Sequence, residues 1–176
     1  MASDPIVVTH PLLQHKISLV RDKDTPPIIF RMLVREITQL MLFDATRDLT
    51  LTDRDIETPM QKISAPVLAE PGPVLVSIMR AGNVMLDAAL EIIPTAGVCH
   101  IGIYRDRDTL EAVEYYFNAP DDIADRALLL VDPMLATANS SVAASASFIS
   151  LSLKPVKLAP ACDMGRGSFF GTSSIL

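Results

Sequence analysis

Ala127-Leu-Leu-Leu-Val-Asp132-Pro-Met-Leu-Ala-Thr137-Ala-Asn-Ser140 is a short apolar run that ends in one carboxylate and opens into a loop of small and hydroxyl residues. A run of this length, bounded by turn-forming residues, reads as a strand buried on both faces. It carries Asp132 to the edge of a sheet. The loop behind it can cradle phosphate, with consecutive backbone N–H groups at a helix N-terminus and the hydroxyls of Thr137 and Ser140 as added donors.

Two earlier runs have the same form. Val74-Leu-Val-Ser-Ile-Met79 ends at Arg80-Ala81-Gly82, and a helical pattern of Met85, Leu86, Ala89, Leu90 and Ile93 follows and stops at Pro94. Val98 to Tyr104 ends at Arg105-Asp106, and Val113 to Phe117 has strand-like composition. Apolar runs alternating with helical and polar stretches predict an α/β fold: an open, mostly parallel sheet flanked by helices. Ligands of such sheets sit beyond the carboxyl ends of the strands. Arg80, Arg105 and Asp132 all stand at such ends. Two forked guanidinium groups suit a diphosphate, and a carboxylate suits ribose hydroxyls. The pattern points to a site for a phosphorylated sugar or nucleotide.

Towards the N-terminus, Thr25-Pro26-Pro27 reads as a helix start with Thr25 as the N-cap. A helix from Pro26 to Asp44 follows. Ile29, Leu33, Ile37 and Leu40, with Phe30, Val34 and Met41 beside them, give it an apolar stripe too broad for one contact, which suggests a homodimer. His10, His15 and Lys16 read as a solvated turn and helix face. Ala45 to Leu49 and Ile56 to Pro59 are polar and turn-rich, without periodicity. His100, inside an apolar run, reads as a core histidine with its hydrogen bonds satisfied.

The 176 residues predict a single domain, 1–176, and an apolar share of 49% suits a folded core. A net charge of -6 counts against coating a nucleic acid, which wants a clustered basic face. Two cysteines, Cys99 and Cys162, are too few for a disulfide framework or a zinc site, and metal-ligand spacing is absent. The N-terminus has no signal-like segment, and no run approaches membrane-spanning length. A cytoplasmic protein, with no membrane or nucleic-acid partner, is the expectation. No serine stands in a nucleophile-elbow pattern.

The motifs together resemble the uracil phosphoribosyltransferases, a type I phosphoribosyltransferase family. The resemblance lies in His10-Pro-Leu-Leu-Gln-His15-Lys, Phe30-Arg31 with Arg35-Glu36-Ile37, Ala45-Thr-Arg-Asp-Leu49 and Ile56-Glu-Thr-Pro59. It continues in register through Met79-Arg-Ala-Gly82, His100-Ile-Gly, Tyr104-Arg-Asp106, Val113-Glu-Tyr-Tyr116 and Val131-Asp-Pro-Met-Leu-Ala-Thr137.

The resemblance implies phosphoribosyl transfer from 5-phosphoribosyl 1-diphosphate to N1 of uracil, giving UMP and diphosphate, with Mg2+ accompanying the diphosphate. Arg80 and Arg105 would hold the diphosphate, and Asp132 would be the catalytic carboxylate at the ribose. Pro133, Met134, Leu135, Ala136, Thr137, Ala138, Asn139 and Ser140 would complete the phosphoribosyl-diphosphate loop. Arg105 to Tyr116 would be a projecting mobile arm closing over the site. Asp163 and Gly165 would face uracil, and GTP is the implied effector.

The chain departs from the family in two places. Where the family has Ala-Thr-Gly-Gly-Ser, this sequence has Ala136-Thr137-Ala138-Asn139-Ser140. Glycine allows positive φ and close backbone approach to phosphate, so the change predicts weaker phosphate binding. After Ser140 the remainder is too short for the family's helix, two further strands and uracil-reading segment together; from Phe148 it drifts toward strand-like alternation. The alternative expectation is thus a shortened, catalytically impaired relative that dimerises or binds ligand without turnover.

Overall fold

Every residue of the strand Val74–Met79 is buried except its last, which is half-buried. That explains the unbroken apolar run: the strand has a core on each side. The structure, a computed structural model, describes residues 8–106, 109, 112–133, 156–160 and 173–175. In chain order the elements are α1 (Pro11–Arg21), α2 (Pro27–Ala45), β1 (Leu51–Glu57), β2 (Lys62–Leu68), β3 (Val74–Met79), α3 (Asn83–Ile92), β4 (Gly97–Arg105), β5 (Ala112–Asn118), a 3-10 turn (Ile123–Asp125), β6 (Leu128–Asp132), β7 (Val156–Pro160) and β8 (Ser173–Ile175).

Six strands form one sheet in the order β5-β4-β3-β6-β7-β8. β4, β3, β6 and β7 run parallel, while β5 and β8 pair antiparallel at the two edges. Pleating sends alternate side chains of β3 and β6 to opposite faces. Leu75, Leu129 and Val131 join Leu13, Ile17, Val34, Ile37, Met41, Met85 and Leu86 under the helices. Val74, Val76, Ile78, Leu128 and Leu130 join Cys99, Ile101 and Ile123 on the other side.

α2 lies between α1 and α3 and is tied to both. Lys16 Nζ meets Glu36 Oε2 at 2.6 Å, while Glu91 accepts from Arg35 and, at 3.0 Å, from Gln39. The helix starts and ends within a residue of the expected bounds, but its cap differs. Thr25 does not cap it: the hydroxyl donates to Leu19 O at 2.6 Å, bracing the end of α1, and Pro26 takes the N-cap position. His10, in turn, caps α1 by accepting from Leu12 N–H at 3.2 Å. The stripe of α2 divides. Leu33, Val34, Ile37, Met41 and Leu42 are buried, whereas Ile28 and Phe43 are 75% and 78% exposed.

The turn-rich region after residue 45 holds an antiparallel hairpin, β1 paired with β2 from Leu51↔Leu68 to Glu57↔Lys62. β1 is exposed along its whole length, so Thr52, Asp53, Arg54 and Asp55 show no alternation to read. Thr58 makes the turn, its hydroxyl donating to Gln61 O and accepting from Gln61 N–H. Beyond Ser140, two strands, β7 and β8, are accommodated within the stretch expected to be too short for the family's full complement.

Candidate active site at the carboxyl edge of the sheet

The strand order creates one crevice. From β3 the chain passes through α3 to β4 on one side, then returns to place β6 on the other side of β3 and continues outward to β7. Connections leaving adjacent strands in opposite directions open a gap at their carboxyl ends, where open α/β sheets take their ligands. Arg80 follows β3, and Asp132 ends β6. The pairing Ser77↔Val131 sets Asp132 one residue and Arg80 three residues beyond a matched position on neighbouring strands.

Asp132 is 8% exposed and has interacting neighbours, so the carboxylate is held in place rather than left to solvent. Pro133, half-buried, follows it. Arg80 is the opposite: exposed, with no ion pair or side-chain hydrogen bond among the described residues. The Met79–Arg80 peptide bond is cis. The loop beyond it is tightly closed. Gly82 N–H donates to Ile78 O at 2.9 Å and Asn83 N–H to Arg80 O at 3.3 Å. A Cβ on Gly82 would come within 2.9 Å of both Ile78 N and Ile78 O, so the turn admits only glycine without rearrangement. α3 starts directly after it, and no side chain caps that end. Uncapped amides and the helix dipole favour an anion there.

Arg105 is the last residue of β4, on the same edge. Met79↔Gly102 sets it three residues beyond the end of β3. The expected arm is described at its two ends, where β4 and β5 pair down to Arg105↔Ala112 and Tyr104 stands 6.1 Å from Tyr115 ring to ring. Met134, Leu135, Ala136, Thr137, Ala138, Asn139, Ser140, Asp163 and Gly165 lie outside the described residues, as do 107, 108, 110 and 111 of the arm.

Two polar residues of this edge were not picked out by their sequence context. Ser77 is fully buried in β3, and its hydroxyl donates to Asn83 Oδ1 at 2.9 Å. The available signal was one serine in an apolar run with an asparagine at the next helix start. His100, paired in register with Ser77, departs from expectation: its Nδ1 is buried and has no hydrogen-bond partner among the described residues. Cys99 is buried beside it in sequence. Burial, reinforced by the Glu114 carboxylate, pushes its thiol up to about 12, which leaves it protonated and unreactive. A groove of about 410 Å³ on the hairpin, lined by Asp55, Ile56, Glu57, Lys62, Ile63 and Ser64, has none of these site residues.

A family model described as uracil phosphoribosyltransferase matches residues 7–159. A uracil phosphoribosyltransferase of Rhizobium etli is 53% identical over 138 residues, 78% of this chain and 66% of that protein. One of Brucella ovis is 52% identical over the same shares. The chain therefore spans about two thirds of the length of the curated relatives it matches. The AQ2163 protein from Aquifex aeolicus superposes with a TM-score of 0.83 at 30% identity, covering 90% of this chain and 76% of its own. A Staphylococcus aureus hypoxanthine phosphoribosyltransferase, at 11% identity, shares the fold with a TM-score of 0.56 over 77% of this chain and 65% of its own.

Proposed function

The chain belongs to the uracil phosphoribosyltransferase family, and on that premise we propose that it transfers a phosphoribosyl group from 5-phosphoribosyl 1-diphosphate to N1 of uracil. The observation that carries the reading is the crevice at the strand-order switch, with the closed loop of Arg80 on one lip and buried Asp132 on the other. The C1′–oxygen bond of the donor breaks and the bonding pair leaves with the diphosphate. N1 of uracil bonds to C1′ and gives up its proton to solvent.

Charge is the main demand of this reaction. Positive charge builds on the ribose as the bond breaks, and Asp132, bonded to the hydroxyls of the same sugar in this reading, stabilises it. Arg80, the uncapped end of α3 and Arg105 receive the leaving diphosphate. Met134 to Ser140 wrap the 5′-phosphate, and Asp163 and Gly165 face uracil. The arm from Arg105 to Tyr116 closes over the site and keeps water from taking the sugar. Magnesium suits this donor set: a hard cation, it would accompany the diphosphate oxygens, and Asp132 would be the carboxylate to hold it there. When bound it offsets the negative charge of the departing group.

The remaining assignments have separate supports. The exposed Ile28, Phe30, Met32 and Phe43 of α2, with Met60 at the hairpin tip, support a homodimer. No helix among the described residues is long and apolar enough to cross a membrane. Phosphorylated substrates and products, which do not cross membranes unaided, support a cytoplasmic setting. Family membership alone supports GTP as an effector.

Incubating the chain with magnesium, uracil and the donor, and separating nucleotides by chromatography, should show UMP. No product above a buffer control overturns the activity. Turnover appearing only in Ala138→Gly/Asn139→Gly would mark the native chain as the impaired relative instead.

A further inference from the structure

We infer that Ser77 and Asn83 are positioning residues, their side-chain hydrogen bond fixing the loop that presents Arg80 to the diphosphate. The inference rests on the role proposed for Arg80 above. Ser77 is fully buried in a strand otherwise made of Val, Leu, Ile and Met. A hydroxyl there costs stability unless it is bonded, and alanine would satisfy the packing without that demand. Asn83 stands at the first position of α3, where its side chain does no capping. Each residue is thus a poor choice for its own element and makes sense only through the other.

Their bond, Ser77 Oγ to Asn83 Oδ1 at 2.9 Å, spans the loop from Ile78 to Gly82. It lies beneath the loop as well as across it, since a Cβ on Gly82 would stand 2.8 Å from the Ser77 hydroxyl. The two backbone bonds that close the loop constrain its main chain within the turn. The side-chain bond adds a tie between the turn and two rigid elements, β3 and α3. The Arg80 side chain is exposed and has no ion pair or hydrogen bond of its own among the described residues to hold its position. Its placement is inherited from the loop, and pre-set placement is what a bidentate anion contact requires.

The test is calorimetric titration of the full chain with magnesium pyrophosphate, together with steady-state kinetics. Wild type should bind, and Arg80→Ala should bind at least about tenfold more weakly. Ser77→Ala and Asn83→Ala should each weaken binding about fivefold, the size of one hydrogen bond. The double variant should be no weaker than the singles, because they remove the same bond. The KM for the donor should rise in step while the KM for uracil stays put, a split that a merely structural role would not produce.

Binding by both single variants equal to wild type overturns the inference and leaves Arg80's role intact. Additive losses, or equal changes in both KM values, also overturn it. Failure of wild type to bind pyrophosphate, or full binding by Arg80→Ala, overturns the role of Arg80 and this inference with it. Should Ser77→Ala melt too low to titrate, Asn83→Ala, on the half-exposed side of the pair, carries the same test.

Discussion

The two ends of the parallel sheet each carry an arginine beside β3 and β6, and the two are used in opposite ways. At the amino end every nitrogen of the Arg126 guanidinium has a partner. Its Nε donates to Gly72 O at 2.6 Å, Nη2 to Pro73 O at 3.2 Å, and Nη1 lies 3.4 Å from Asp122. The guanidinium sits where a Cβ on Gly97 would be 2.9 Å from Nη1, so it joins the starts of β3, β4 and β6. At the carboxyl end Arg80 is exposed and has no such partners among the described residues. A guanidinium whose nitrogens are all engaged by the fold braces it. One with open donors can receive a ligand, and the amino-acid type alone does not distinguish them.

Substitutions at the two ends should therefore separate stability from activity. The largest effect belongs to Asp132→Asn at the carboxyl end. The change is isosteric, so melting should hardly move, while kcat falls about 10²- to 10³-fold, the usual cost of removing a charge-stabilising group; a fall below fivefold would remove Asp132 from the chemistry.

Arg126→Ala should show the converse. Losing its bonds to the Gly72 and Pro73 carbonyls, of which Pro73 O keeps Gly97 N–H at 3.0 Å, costs about 2 kcal/mol, or roughly 4–8 °C in Tm by calorimetry, with the donor KM unchanged. Arg80→Ala comes next: donor affinity should drop about tenfold or more with Tm within a degree or two of wild type. If Arg80→Ala melts early and Arg126→Ala binds poorly, the contrast between the two ends is wrong.

The smallest effect concerns Cys99, buried in β4. Its thiol titrates near 12 in the folded chain against an ordinary value of 9.0. Between those values the folded state keeps a proton that the unfolded state has lost, so stability falls as pH rises. Below pH 9 the contribution is complete. Wild type should lose Tm more steeply than Cys99→Ala from pH 9 upward, and Ellman's reagent should find no reactive thiol at Cys99 in the folded protein at pH 8.

How far this could be read in advance depends on where each interaction is encoded. β3 and β6 were legible because burial on both faces writes a dense apolar run, and β4, only partly buried, as a run interrupted by His100 and Gly102. Asp132, Arg80 and Arg105 were legible as candidates because the ends of those runs define the edge where ligands bind. Strand β1 of the hairpin was not, since a strand exposed on both faces has no alternation to write, and β2 alternates only between exposed and half-buried positions. Thr25 misled because a hydroxyl before two prolines has the form of a cap, yet the nearer acceptor was the end of the preceding helix. Arg126 gave no sign, because backbone carbonyls are its main partners and every residue has one. Ser77 and Asn83 acquire meaning only once a turn folds one over the other.

Placing β3 between β4 and β6 has a consequence for how the molecule is made. Synthesis proceeds from the N-terminus, so β3 can pair with β4 well before β6 has left the ribosome. Until then its other edge, lined by buried-type side chains, is an open template for unwanted pairing. The arrival of Leu128–Asp132 closes that edge and sets the carboxylate opposite the arginine loop in one event. A nascent chain of this design therefore covers the free edge of β3 and gains its crevice with the same strand, and passes the open edge on to β6 until β7 arrives.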